Sequence, residues 1–127
     1  MTFDVEIVLR ERDYATTEHL PVPGRRAPDE WTEEDVEQVL KDILLAIDRA
    51  RNPQSAQRYV ALRGFSWIVE PTSDGVVIAI EIPMGAAVAG PFRIDQAALD
   101  HKIRRVLAAA AAASALSTGA AHKPVVH

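Results

Sequence analysis

The stretch FSWIVEPTSDGVVIAIEI, residues 65–82, restricts the fold more than any other part of this chain. Two runs rich in valine, isoleucine and tryptophan flank Thr72, Ser73, Asp74 and Gly75, residues suited to a tight turn, so the segment reads as a β-hairpin. Strand side chains alternate between faces, and a one-residue slip in pairing reverses all of them. With the turn on these four residues, Val69 stands opposite Ile78, Trp67 opposite Ile80 and Phe65 opposite Ile82, so every large apolar side chain shares one face. A five-residue connection would set Phe65 against Glu81 and scatter that set. The opposite face then carries Ser66, Ile68, Glu70, Val77, Ala79 and Glu81. Half of it is apolar, and a mixed face of this kind is covered either by the chain itself or by a partner. Val60 and Leu62 alternate in the other parity from Phe65 and Trp67, which predicts a bend near Gly64.

The remaining elements follow from periodicity and end signals. Phe3, Val5, Ile7 and Leu9 alternate with Asp4, Glu6, Val8 and Arg10, the pattern of a strand with one dry face. Residues 11–31 carry Pro21, Pro23, Gly24 and Pro28 and are expected to form a long surface loop, with at most a short extended piece at Tyr14–Leu20. A complete helix start follows, in which Thr32 caps, Asp35 closes a capping box, and Glu33 and Glu34 meet the helix dipole. Val36, Val39, Leu40, Ile43, Leu44, Ile47 and Ala50 form its buried stripe, and Asn52–Pro53 ends it. A last helix is capped by Asp95 and buries Ala98, Leu99, Ile103, Val106, Leu107 and Ala110. It is expected to run to about Leu116 and stop at Gly119, leaving 120–127 as a flexible tail.

These elements predict an α+β fold over residues 1–119. It is a two-layer sandwich in the order β-α-β-β-α, with two helices on one face of a mainly antiparallel sheet of at least three strands.

Several function classes lose support on the residues themselves. The chain has no cysteine, hence no disulfide, thiolate ligand or thiol nucleophile. The start MTFDVEIVLRER has no basic leader ahead of an apolar run, and Val106–Ala121 is alanine-rich rather than strongly apolar. The expectation is therefore a cytoplasmic chain without a membrane segment. His19, His101, His122 and His127 include no pair three or four apart, so no helical metal site is expected. Ser66 in GFSWI resembles a nucleophile elbow, but Ile68 replaces the second glycine. The acidic group Glu33, Glu34, Asp35 and Glu37 is explained by its place at a helix start.

Most ambiguous is IPMGAAVAGPF, residues 82–92, without a charge. Gly85 and Gly90 have the spacing of a phosphate loop, but Pro91 and Phe92 stand where lysine and a hydroxyl should follow. Asp95 also puts negative charge where an anion would need free amides. Read as a loop, this stretch offers an apolar rim with Met84 and Phe92 at its edges.

The expected function is a small non-enzymatic interaction or assembly module that binds itself or another protein subunit, without cofactor or metal. Its expected interface is Ile68, Val77, Ala79, Met84, Gly85, Gly90 and Phe92. Charge asymmetry fits oriented association: residues 1–52 hold 13 acids and 7 Lys/Arg, and residues 53–127 hold 5 acids and 7 Lys/Arg. The alternative is a small-molecule or phosphate-ligand protein or enzyme that uses the 84–93 loop with Arg93, His101 and Arg104. A third reading, nucleic-acid binding through Arg93, Lys102, Arg104 and Arg105 with Arg58 and Arg63, is disfavoured by the net charge of −4 and few aromatic residues.

Overall fold

The hairpin register forces one apolar face, and the computed structural model, which describes residues 1–24, 26–54 and 60–122, shows what meets that face. The elements are β1 (Thr2–Leu9), β2 (Ala15–Pro21), a 3-10 turn (Pro28–Glu30), α1 (Glu33–Arg51), β3 (Ser66–Thr72), β4 (Gly75–Ile82), β5 (Gly85–Phe92) and α2 (Gln96–His122). All neighbouring strands are antiparallel in the sheet order β2-β1-β5-β4-β3. The fold is thus α+β, with five strands where the sequence demands at least three. Val69 pairs with Ile78 and Trp67 with Ile80, as the turn residues require.

Both helices lie on the dry side. Phe3, Val5, Ile7 and Leu9 of β1, Val76, Ile78 and Ile80 of β4, and Ala87, Ala89 and Phe92 of β5 are buried with the stripes of α1 and α2 in one core. Trp31 and Phe3 close one end of it, their rings 5.0 and 5.1 Å from that of Phe92. The α1 capping box is complete: the Asp35 amide donates to Thr32 Oγ1 at 3.2 Å, and the Thr32 amide donates to Asp35 Oδ2 at 3.0 Å. Buried Asp35 also accepts from Arg26 at 3.1 Å, so its charge is matched. Asp95 caps α2 through the Ala98 amide at 3.0 Å.

Three expectations are corrected. The 11–31 segment is not one long loop: the short extended piece expected at Tyr14–Leu20 is present as a complete strand. It contains β2, a full partner of β1, and the 3-10 turn. β2 is polar because it is an edge strand whose inner side is only half-covered. It is tied to the helix layer by Arg49, which donates to Glu18 at 2.6 Å.

Residues 82–92 are not a loop either: after a turn at Pro83–Met84 the chain forms β5, a central strand. Its small residues permit this place, since a methyl group on Gly85 would collide with the Val8 carbonyl oxygen of β1. Phe92, expected at an interface, is only 1% exposed. Pairing passes from Val76–Phe92 to Ile78–Ala89, so Gly90 and Pro91 share a bulge opposite Val77. That extra residue inverts the alternation and turns Phe92 into the core. Gly90 supplies the φ of +131° that the bulge needs.

The third correction concerns α2, which continues through Gly119 to His122. Ala111 to Ala115 are all exposed, so this part of the helix projects past the packed layer. The remainder of the expected tail, residues 123–127, lies outside the described residues.

Candidate functional site

Because α1 and α2 share one side, the other side of the sheet is uncovered by the described residues. Its composition follows row by row from the register. One row runs Ile68, Ala79, Val88, Glu6, Thr17 across the five strands, and the next runs Ser66, Glu81, Ala86, Val8, Ala15. Beyond the first row on its other side, Glu70 pairs with Val77, and Asp4 stands between Gly90 and His19. Ile68, Val8 and Val88 are 52%, 47% and 42% exposed, with half-buried Val77, Ala79 and Ala86 between them. A shallow depression of about 390 Å³ opens in this surface, floored by Ala79 and Ala86 and walled by Ile68, Val88, Ser66 and Glu81.

Acidic side chains dominate the electrostatics of this face. None of the five strands contains a lysine or arginine. Asp4, Glu6, Glu70 and Glu81 border the apolar strip, and only Asp4 has a partner among the described residues, His19 Nδ1 at 2.5 Å. On the helix side five carboxylates are matched: Glu18 to Arg49, Asp35 to Arg26, Glu37 to Lys41, Asp100 to Arg104 and Glu33 to Arg105.

Of the expected interface residues, Ile68, Val77 and Ala79 stand together on this face. Gly90 lies on it at the bulge, without a side chain to offer. Gly85 is wedged against β1, and Met84 sits on the β4–β5 turn at the sheet's end, where its carbonyl accepts from the Arg10 amide at 2.9 Å. Val8, Ala86, Val88 and Glu6 complete the surface and belong to no expected site. Only the insertion of β5 between β1 and β4 brings them beside the hairpin.

The alternative ligand set is not drawn together. Arg93 borders an open depression of about 470 Å³ that also contains Asp29, Asp74 and Asp95, a poor setting for an anion. His101 is exposed on α2, and Arg104 is held by Asp100 at 2.7 Å with its guanidinium 5.2 Å from the Trp67 ring centre. For the basic face, Arg105 donates to Glu33 at 2.6 Å, and Arg58 lies outside the described residues. Among the described residues no group of three His, Asp or Glu side chains is placed to hold a metal ion, and no helix is long and apolar enough to cross a membrane.

Asp42, on α1, has a displaced titration. Burial pushes its pKa above the ordinary value of 3.8, while a hydrogen bond from Gln38 at 2.8 Å and the charge of Arg49 pull the other way. It belongs to the helix layer and has no part in the open face. Neither a family model, nor a curated protein, nor a solved structure matches the chain.

Proposed function

We propose that this chain is a non-enzymatic interaction module, an accessory subunit that docks onto another protein through the open face of its sheet. The observation that supports this is the one-sided layering, which leaves Ile68, Val8 and Val88 in water around half-buried Val77, Ala79 and Ala86. A contiguous apolar patch with a polar border has the composition of a protein contact surface. Five strands of seven or eight residues give the face an area of about 600 Å², somewhat below the roughly 800 Å² per partner of a standard stable interface. Self-association, the other form of an assembly role, is disfavoured on this face. Two copies laid face to face would crowd Glu6, Glu70 and Glu81 against their own kind with no strand cation to relieve them.

Site-specific photocrosslinking in the native extract tests the role. A photoreactive residue at position 88 is expected to join one defined protein, and the same residue at exposed Gln38 on α1 is not. The product should vanish when Ile68→Asp is added while the circular dichroism spectrum is unchanged. Equal labelling from positions 88 and 38 would remove the docking role from this face.

A further inference from the structure

The open face also constrains the chemistry of what covers it, and on the docking role proposed above we infer that its occupant is an amphipathic helix whose apolar ridge is bordered by lysine or arginine. Two independent features carry this inference. The first is charge. Glu6, Glu70 and Glu81 have no ion-pair partner among the described residues, while five helix-side carboxylates have one. They are not scattered: Glu6 pairs with Val88, Glu81 with Ala86 and Glu70 with Val77, so each stands directly beside an apolar member of the strip. Exposed and solvated, a carboxylate loses little by lacking a partner. Once a second surface excludes water from Val88 and Ala86, the neighbouring charges are partly desolvated and require cations. The one basic side chain on the five strands, His19, is engaged by Asp4, so the covering element must supply them.

The second feature is the backbone. β1, β4 and β5 each lie between two paired neighbours, so their amides and carbonyls are engaged within the sheet plane and the face offers only side chains. An extended segment laid across it would leave its own N–H and C=O groups unmatched. A helix satisfies its backbone internally and presents only side chains, which is why helices are the usual cover for sheet faces. The sheet is about 24 Å across, so about 16 helical residues would span it. The depression floored by Ala79 and Ala86, at about 390 Å³, accepts one or two aliphatic side chains of the ridge, with Glu81 at its edge to meet an adjacent lysine or arginine.

The test uses the full chain and two designed helical peptides of about 18 residues, both with leucines at i, i+3, i+4 and i+7. One is bordered by lysines and the other by glutamates. Titration is followed by fluorescence anisotropy and by the amide resonances of the ¹⁵N-labelled chain. The lysine-bordered peptide is expected to bind at least about tenfold more tightly than its counterpart and to weaken with rising salt. It should shift the amides of Ile68, Ala79 and Val88. In the double variant Glu70→Lys/Glu81→Lys, with an unchanged melting temperature, the preference should reverse.

Equal binding of both peptides at these amides would overturn the charge requirement and leave the docking role standing. Failure of the lysine-bordered peptide to shift them, with the position-88 crosslink intact, would overturn the basic helix as occupant. Concentration-dependent dimerisation abolished by Val88→Asp would assign the face to a second copy instead. Loss of the crosslink itself would count against the docking role.

Discussion

Two isoleucines on the same ladder make the one-sided cover measurable. Ile78 pairs with Val69 and Ile68 pairs with Ala79, so both have strand neighbours of similar kind, yet they face opposite ways. Ile78 is 0% exposed and Ile68 is 52% exposed. Truncation to alanine removes three carbons from each. At about 0.8 kcal/mol per buried carbon, Ile78→Ala loses roughly 2.4 kcal/mol of transfer energy, and the void left under the helix layer raises the total to about 3–4 kcal/mol. At position 68 about half of the transfer energy is missing to begin with and water fills the gap, leaving a cost of about 1 kcal/mol. With a urea dependence of about 2 kcal/mol per molar, the midpoint should fall by roughly 1.5–2 M for Ile78→Ala and by about 0.5 M for Ile68→Ala. Fluorescence of Trp31, 2% exposed in the core, reports the transition. Midpoints within about 0.3 M of each other would show that both sides of the hairpin are covered alike and refute the layering on which the open face depends.

Two further outcomes test the helix layer. Asp35→Ala removes the return half of the capping box and the partner of Arg26, and chemical denaturation should show a loss of about 1–2 kcal/mol, whereas exposed Glu34→Ala, which forfeits only its interaction with the helix dipole, should cost about 0.3–0.5 kcal/mol. Asp42 has its folded-state pKa raised mainly by burial, so its protonated form is the better tolerated one in the native chain. The stability it contributes is fully present below the unfolded value of 3.8 and is lost as pH rises through the higher folded value. Asp42→Asn should therefore raise the melting temperature at pH 7 and leave it unchanged under acid conditions where the wild-type carboxyl is already neutral; an equal effect at both would exclude this origin.

What is legible in the sequence is what is decided locally. The β3–β4 register is set by four consecutive turn residues, and the α1 start by a cap and its partner three positions on, so no distant information is needed. β5 is different. GAAVAGPF has little strand propensity of its own, and its place comes from distant requirements: Ala87 and Ala89 are small where the helix layer presses, and Gly85 is bare where β1 approaches. β2 is only faintly legible, as the extended piece at Tyr14–Leu20, for the opposite reason: an edge strand with a wet outer side and a half-covered inner side needs no apolar alternation. The site divides along the same line. Ile68, Val77 and Ala79 follow from hairpin parity, whereas Val8, Ala86 and Val88 join them only through non-local pairing. Phe92 misleads because a bulge two residues earlier inverts its face.

The absence of lysine and arginine from the strands also matters when the chain is not folded. Positive side chains commonly keep sticky strands from stacking on one another, and between Arg63 and Arg93 this sequence has none. Only Glu70, Asp74 and Glu81 remain to repel a second unfolded copy over the stretch that includes VVIAIEI, which is rich in β-branched residues and carries a single charge. The same carboxylates thus act as gatekeepers during synthesis and refolding, and neutralising them would invite aggregation before any native surface exists.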